Sequence, residues 1–259
     1  MSKRIGSFWK YTFCFCAAFL FLLTSSYAQI VNIESQRIRS DTTGWFGNLG
    51  AAFSLTQNVS HILALDANAH VEYKTKKDLW LFLVNYDLLK TDTLQLNNNV
   101  FYHLRYNRTL NAWLKWEAFT QLQQNTLVGI GVRELAGTGP RFKLSGTKSL
   151  RLYAGTAVMY EYERDVSGPP VNHYDLRSDT YVSGTYTPQP YLTLVATVYY
   201  QPLFTRIADY RIANDLSLVI KLSKHFAMNT NWNFTYDTFP AYGVPTVTYT
   251  LSNGFTYSF

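Results

Sequence analysis

Between residues 61 and 74 the chain alternates. His61, Leu63, Leu65, Ala67, Ala69, Val71 and Tyr73 fall on one face, and Ile62, Ala64, Asp66, Asn68, His70, Glu72 and Lys74 fall on the other. A period of two marks a β-strand whose faces meet unlike surroundings. The pattern returns at 226–237, where Phe226, Met228, Trp232, Phe234 and Tyr236 oppose Asn229, Asn231, Asn233, Thr235 and Asp237. At the C-terminus Val247, Tyr249, Leu251, Phe255, Tyr257 and Phe259 alternate with Thr246, Thr248, Thr250, Ser252, Gly254, Thr256 and Ser258. The same test predicts twelve strands, at 43–56, 59–74, 78–90, 97–108, 113–124, 128–144, 149–164, 174–187, 191–202, 209–222, 226–237 and 246–259.

An even number of antiparallel strands suits a transmembrane barrel with polar residues inside and an apolar band outside. Predicted connections at 75–77, 109–112, 145–148, 187–190 and 223–225 are short, while those at 91–96, 165–173, 203–208 and 238–245 are longer. In an outer-membrane barrel short turns face the periplasm and long loops the exterior. The first outer connection, near Gln57 and Asn58, is short where that rule expects length. Rings fall into two sets. Tyr73, Trp80, Tyr106, Trp116, Tyr186 and Tyr257 lie near the short turns, and Tyr86, Tyr160, Tyr162, Tyr200, Tyr210 and Tyr236 lie near the long loops. Amphipathic rings prefer the headgroup level, so two girdles are expected. A soluble exported barrel binding a small apolar ligand is the main alternative, and it would turn the apolar face inward.

The first 28 residues read as a cleaved signal peptide. A basic start with Lys3, Arg4 and Lys10 precedes an apolar run at 11–23, and small residues at Ser26 and Ala28 define the cleavage site. A short periplasmic segment at 29–42 then leads into the barrel at 43–259. Both cysteines, Cys14 and Cys16, leave with the leader, so the mature chain has no disulfide, thiolate metal site or catalytic thiol. Three of the 23 basic residues go too and none of the 17 acids, leaving a net charge of +3 and no electrostatic basis for nucleic-acid binding. No later apolar run reaches the length of a membrane helix. The expected place is the outer membrane of a Gram-negative bacterium, with its lipid as partner.

HLRYNRTLNAWLKWEAFTQLQQN at 103–125, RELAGTGPR at 133–141, MYEYE at 159–163 and YYQP at 199–202 resemble the outer-membrane family catalogued as domain of unknown function 481, described as salt-induced outer membrane proteins. The resemblance spans about residues 37–259 and implies an outer-membrane β-barrel without an established activity. Phe255, Tyr257 and Phe259 are similar to the C-terminal signal read by the barrel-assembly machinery, the partner expected during biogenesis.

Chemistry is confined to the inward face, where acids and bases nearly balance. Asp66, Glu72, Glu117, Glu161, Glu163 and Asp237 are set against Arg105, Arg133, Arg141, Arg151 and Arg211 as a lumen charge network. Such balance predicts mutual pairing rather than a selectivity ring of one sign. Symmetric hairpins about Asn111 and Lys224 would place Arg105 opposite Glu117 and Arg211 opposite Asp237. Glu134 phases outward, so it should lie near an interface or beside a bulge at Gly137, Gly139 and Pro140. The expected role is a narrow passive channel for small polar solutes or a plugged structural or stress-related barrel, without catalysis, cofactor or metal. A phospholipase-type hydrolase is the enzymatic alternative. It would use His61, the histidine phased outward within a strand, but no serine is phased beside it.

Overall fold

The computed structural model describes residues 42–57 and 60–257. The predicted signal peptide, all of the periplasmic segment but Thr42, and Phe259 lie outside the described residues. Twelve antiparallel strands follow one another in chain order: β1 (Gly44–Gln57), β2 (His61–Lys74), β3 (Asp78–Thr91), β4 (Gln95–Thr109), β5 (Leu114–Asn125), β6 (Ile130–Gly146), β7 (Leu150–Asp165), β8 (Val171–Gln189), β9 (Leu192–Leu203), β10 (Arg206–Lys221), β11 (Phe226–Asp237) and β12 (Val247–Tyr257). Every ladder joins sequence neighbours, giving an up-and-down β-barrel. β1 and β12 end the series, and no ladder between them falls among the described residues.

The faces are inverted relative to a soluble barrel. Leu49, Phe53, Phe82, Leu104, Val158, Val182, Val198, Trp232 and Leu251 are exposed, while Arg105, Glu117, Arg133, Arg141, Glu161, Asp179 and Asp215 are buried. An apolar exterior around an ionic interior is stable only where the outer medium is itself apolar. This orientation removes the soluble, apolar-ligand alternative. The rings form two belts: Trp45 on Tyr73 and Trp80 on Tyr106 at one end, with centroids 4.7 and 4.5 Å apart, and Tyr162–Tyr174, Tyr200–Tyr210 and Tyr210–Tyr236 at the other.

Three details depart from expectation. The connections at 92–94 and 204–205 are tight, because β3, β4 and β10 run further than the alternation shows, so length asymmetry rests chiefly on 238–246. The first hairpin of β4–β5 is centred on Ala112, with Thr109 opposite Lys115. Asn111 Oδ1 accepts from the amides of Trp113 (3.0 Å) and Leu114 (2.8 Å), closing a wider turn than one centred on Asn111. Arg105 therefore faces Phe119, and Asn107 faces Glu117. Finally, β6 has no register shift at Gly137–Pro140. Its irregularities lie at Ile130/Val132 and Lys143/Ser145, and exposed Glu134 stands near the first. The ladder to β7 skips Gly139 and Pro140 and resumes in the same register. Pro140 has no N–H to give, and a Cβ on Gly139 would sit 1.9 Å from the Thr156 carbonyl oxygen.

Candidate functional site

The inward face gathers its charges at two depths. The larger cluster is centred on Glu161, whose residue is 0% exposed. Arg177 Nε lies 2.7 Å from Glu161 Oε2, while Arg133 Nε and Arg211 Nη1 approach Oε1 at 3.1 and 2.5 Å. Each arginine also holds another acid. Arg133 donates through Nε to Glu163 at 2.6 Å, Arg211 to Asp237 at 2.6 Å, and Arg177 to Asp209 at 3.0 Å and Asp175 at 3.2 Å. Arg206 donates to Asp209 from the loop end at 2.7 Å. Arg211 reaches Glu161 and Glu163 from β10 across to β7, two strands intervening, so the network ties together strands that share no ladder. Alternation brings these groups together: positions 161 and 163, 175 and 177, and 209 and 211 are next-but-one pairs on their strands.

The smaller cluster is centred on Glu117. Arg105 and Arg141 approach it at 3.5 and 3.4 Å, and the Tyr181 hydroxyl donates to it from β8. Arg141 also donates to that hydroxyl at 3.1 Å and lies over the Tyr153 ring, 4.2 Å from its centroid. Gly155 makes room: it stands opposite both Arg141 and Tyr181, and a Cβ there would be 2.4 Å from the Tyr181 ring. Arg105 meets Glu117 diagonally and rests over Phe119, 5.2 Å from its centroid.

Apolar side chains fill the interior as well. Leu81, Leu83 and Phe101 form one buried cluster, and Tyr181, Tyr199 and Ala213 form another. His103 stacks between Phe101 and Phe119, with centroids 6.1 and 5.9 Å away. Asp179 accepts from Gln201 at 2.8 Å, and Oδ2 of buried Asp215 has no hydrogen-bond partner among the described residues. The wall near the seam differs. Inward Asn48, Ala52 and Ser54 of β1, Asp66 and Asn68 of β2, and Ser252 and Gly254 of β12 are small or polar and exposed.

Of the residues predicted for the lumen, Glu117, Arg105 and Arg141 meet in the smaller cluster, and Arg133, Glu161, Glu163, Arg211 and Asp237 meet in the larger. Glu72 is buried beside His70 at 3.1 Å. Asp66 stands opposite Asp87 at the exposed loop end of the wall, and Arg151 is exposed at the turn end. The lumen network predicted from charge alone omits Tyr181 and Tyr153, which are uncharged. Their inward phase with Asp179 and Arg151 was the available signal. Phe255 and Tyr257 are exposed on the outer face of β12.

His61 Nδ1 lies 3.1 Å from Asp92, the base and orienting acid of a hydrolase arrangement, but no serine bonds the ring among the described residues. Asp92 lies beyond the end of β3, and its carboxyl is held below the ordinary aspartate value, chiefly by the His61 backbone amide and then by the ring. Among the described residues no group of three or more His, Cys, Asp or Glu side chains is placed to hold a metal ion.

A family model described as "Protein of unknown function, DUF481" matches residues 43–259. Among solved structures the chain is similar to one titled "NanC porin structure in rhombohedral crystal form", with 12% identity and a TM-score of 0.48, over 82% of this chain and 98% of that one. No curated protein matches the chain.

Proposed function

The chain belongs to the DUF481 family, and we propose that its mature part is a non-catalytic outer-membrane barrel whose lumen is closed by its own side chains. The carrying observation is the near-complete burial of inward groups midway along β3–β10: Leu81 and Glu161 are 0% exposed, Arg141 1% and Phe101 2%. A general diffusion pore keeps its lining wet, so such burial supports a plugged structural or stress-related role. The charge network acts here as a crosslink. Arginine and carboxylate groups from β5 to β11 hold the wall in a narrow section, where single-sign rings would draw ions through. Export by the leader, assembly through the C-terminal aromatic signal and a Gram-negative setting belong to the same reading. Short turns then face the periplasm.

Planar-bilayer recording of the refolded mature chain tests it. The expected result is a quiet membrane, and steady conductance of ordinary porin size would overturn it. A second reading, a narrow route for small polar solutes, draws on the exposed strip of β1, β2 and β12. It predicts small discrete steps that Ala52→Arg abolishes.

A further inference from the structure

We propose that the turn end of β1–β4 is a binding site for a phospholipid with an anionic headgroup. The inference rests on the membrane-barrel reading above. On the outer face a groove is lined by Trp45, Val71, Tyr73, Trp80, Phe82 and Leu104. Register explains its shape. Gly47, Val71, Phe82 and Leu104 form one transverse row, and the absent side chain at Gly47 leaves the row open at β1. The next row towards the turns is wholly aromatic: Trp45, Tyr73, Trp80 and Tyr106. The groove therefore offers an acyl chain an apolar channel that ends at rings suited to the headgroup level.

Cations lie immediately beyond those rings. The β2–β3 turn carries Lys76 and Lys77, both exposed, and Arg108 of β4 stands opposite Asp78. Asp78 accepts from Arg108 at 2.7 Å and from the Tyr106 hydroxyl at 2.7 Å, so one carboxylate links the ring row to the cationic rim. The turn is held in place. Thr75 Oγ1 accepts from the amides of Lys77 (3.2 Å) and Asp78 (2.9 Å), and the Lys77 carbonyl accepts from Thr109 of the neighbouring hairpin at 2.7 Å. With Asp78 offsetting Arg108, the two exposed lysines have no carboxylate partner among the described residues and can meet an external anion. The other turns at this end, at 110–113, 147–149, 190–191 and 222–225, carry at most one lysine each. The paired lysines thus sit on the hairpin at the middle of the four-ring row, and a phosphate carried by an acyl chain satisfies both.

The test uses the mature chain refolded into phosphatidylcholine vesicles containing increasing fractions of phosphatidylglycerol with brominated chains, which quench nearby tryptophan. Brominated phosphatidylcholine serves as the neutral control. Quenching assigned to Trp45 and Trp80, by difference from the W45F/W80F variant, should half-saturate at a far lower fraction of the anionic lipid. Each lysine near an anionic surface contributes about fivefold, so K76Q/K77Q should raise that fraction by up to about 25-fold, and high salt should act likewise. Equal half-saturation by the two lipids, or an unchanged value in K76Q/K77Q, overturns the site. Heat-modifiable gel mobility separates the two claims. A chain that fails to insert overturns the membrane reading itself, whereas one that inserts without selectivity overturns only the lipid site.

Discussion

Replacing Glu161 by Gln removes one charge while keeping the shape of the side chain. In the native barrel that carboxylate sits among three guanidinium groups at 2.5 to 3.1 Å, and it is out of contact with water. The amide keeps one acceptor oxygen but turns an NH2 group towards arginine donors, so three buried cations lose their common counter-charge. Removing one partner of a buried pair costs about 3–5 kcal/mol, because the other is left without compensation. Neighbouring Glu163, Asp237 and Asp209 remain on the same arginines and place the expected loss at the lower end of that range. For a chain of this size 1 kcal/mol moves the thermal midpoint by roughly 2–4 °C, so a fall of roughly 6–12 °C is expected. Circular dichroism in detergent, checked by the gel mobility of unboiled samples, measures it. E161Q/R133Q should fall short of the sum of its single variants by about 0.5–3 kcal/mol, since the residues share one network. A midpoint for E161Q within a degree of the parent, or strict additivity in the double variant, would refute the view that these charges brace the barrel.

Tyr181→Phe deletes the hydroxyl that bridges Glu117 and Arg141. It should destabilise by about 1–3 kcal/mol in the same melting assay, and no loss would remove Tyr181 from the smaller cluster. Asp215→Asn should raise the midpoint, because the acid is buried with Oδ2 unbonded among the described residues and an amide of the same shape carries no charge to desolvate. A fall would show that the acid has a cationic partner. At the loop end, the folded Asp92 carboxyl titrates below its unfolded value, so the contact with His61 is present above the unfolded value and lost as pH falls through the folded one. Carboxyl NMR should find it lowered. His61→Ala should move it only part of the way back, because the backbone amide at position 61 remains, and an unshifted resonance in the parent would refute the contact.

Strand number, order and the sorting of residues onto two faces were legible in the chain, since a period of two over eleven or more residues leaves little choice of face; which face looks outward is not set by the alternation and is read from the burial of the ionic set. What the alternation cannot encode is how many residues a turn consumes. The hairpins at 112 and 224 both close through an amide reaching a carbonyl four residues on, Leu110 to Leu114 and Leu222 to Phe226. Only the second is centred where symmetry about its lysine puts it, which is why Arg211 faces Asp237 while Arg105 is displaced by two residues from Glu117. Contacts that jump strands were further out of reach. Arg211 finds Glu161 because the wall curls, and Tyr181 finds Glu117 because Gly155 clears its path; curvature and clearance are properties of the whole sheet, not of any local pattern.

Each of the eleven ladders here joins a strand to the one synthesised just before it. A nascent wall can therefore lengthen by one hairpin at a time, and every step closes only a short loop of chain. The remaining junction is of another kind. Bringing the first strand against the last means uniting ends separated by nearly the whole polypeptide, with the entropic penalty of a single very large ring. Closure thus stands apart as the one non-local pairing a barrel of this order requires, and its loop entropy exceeds that of any hairpin in the series.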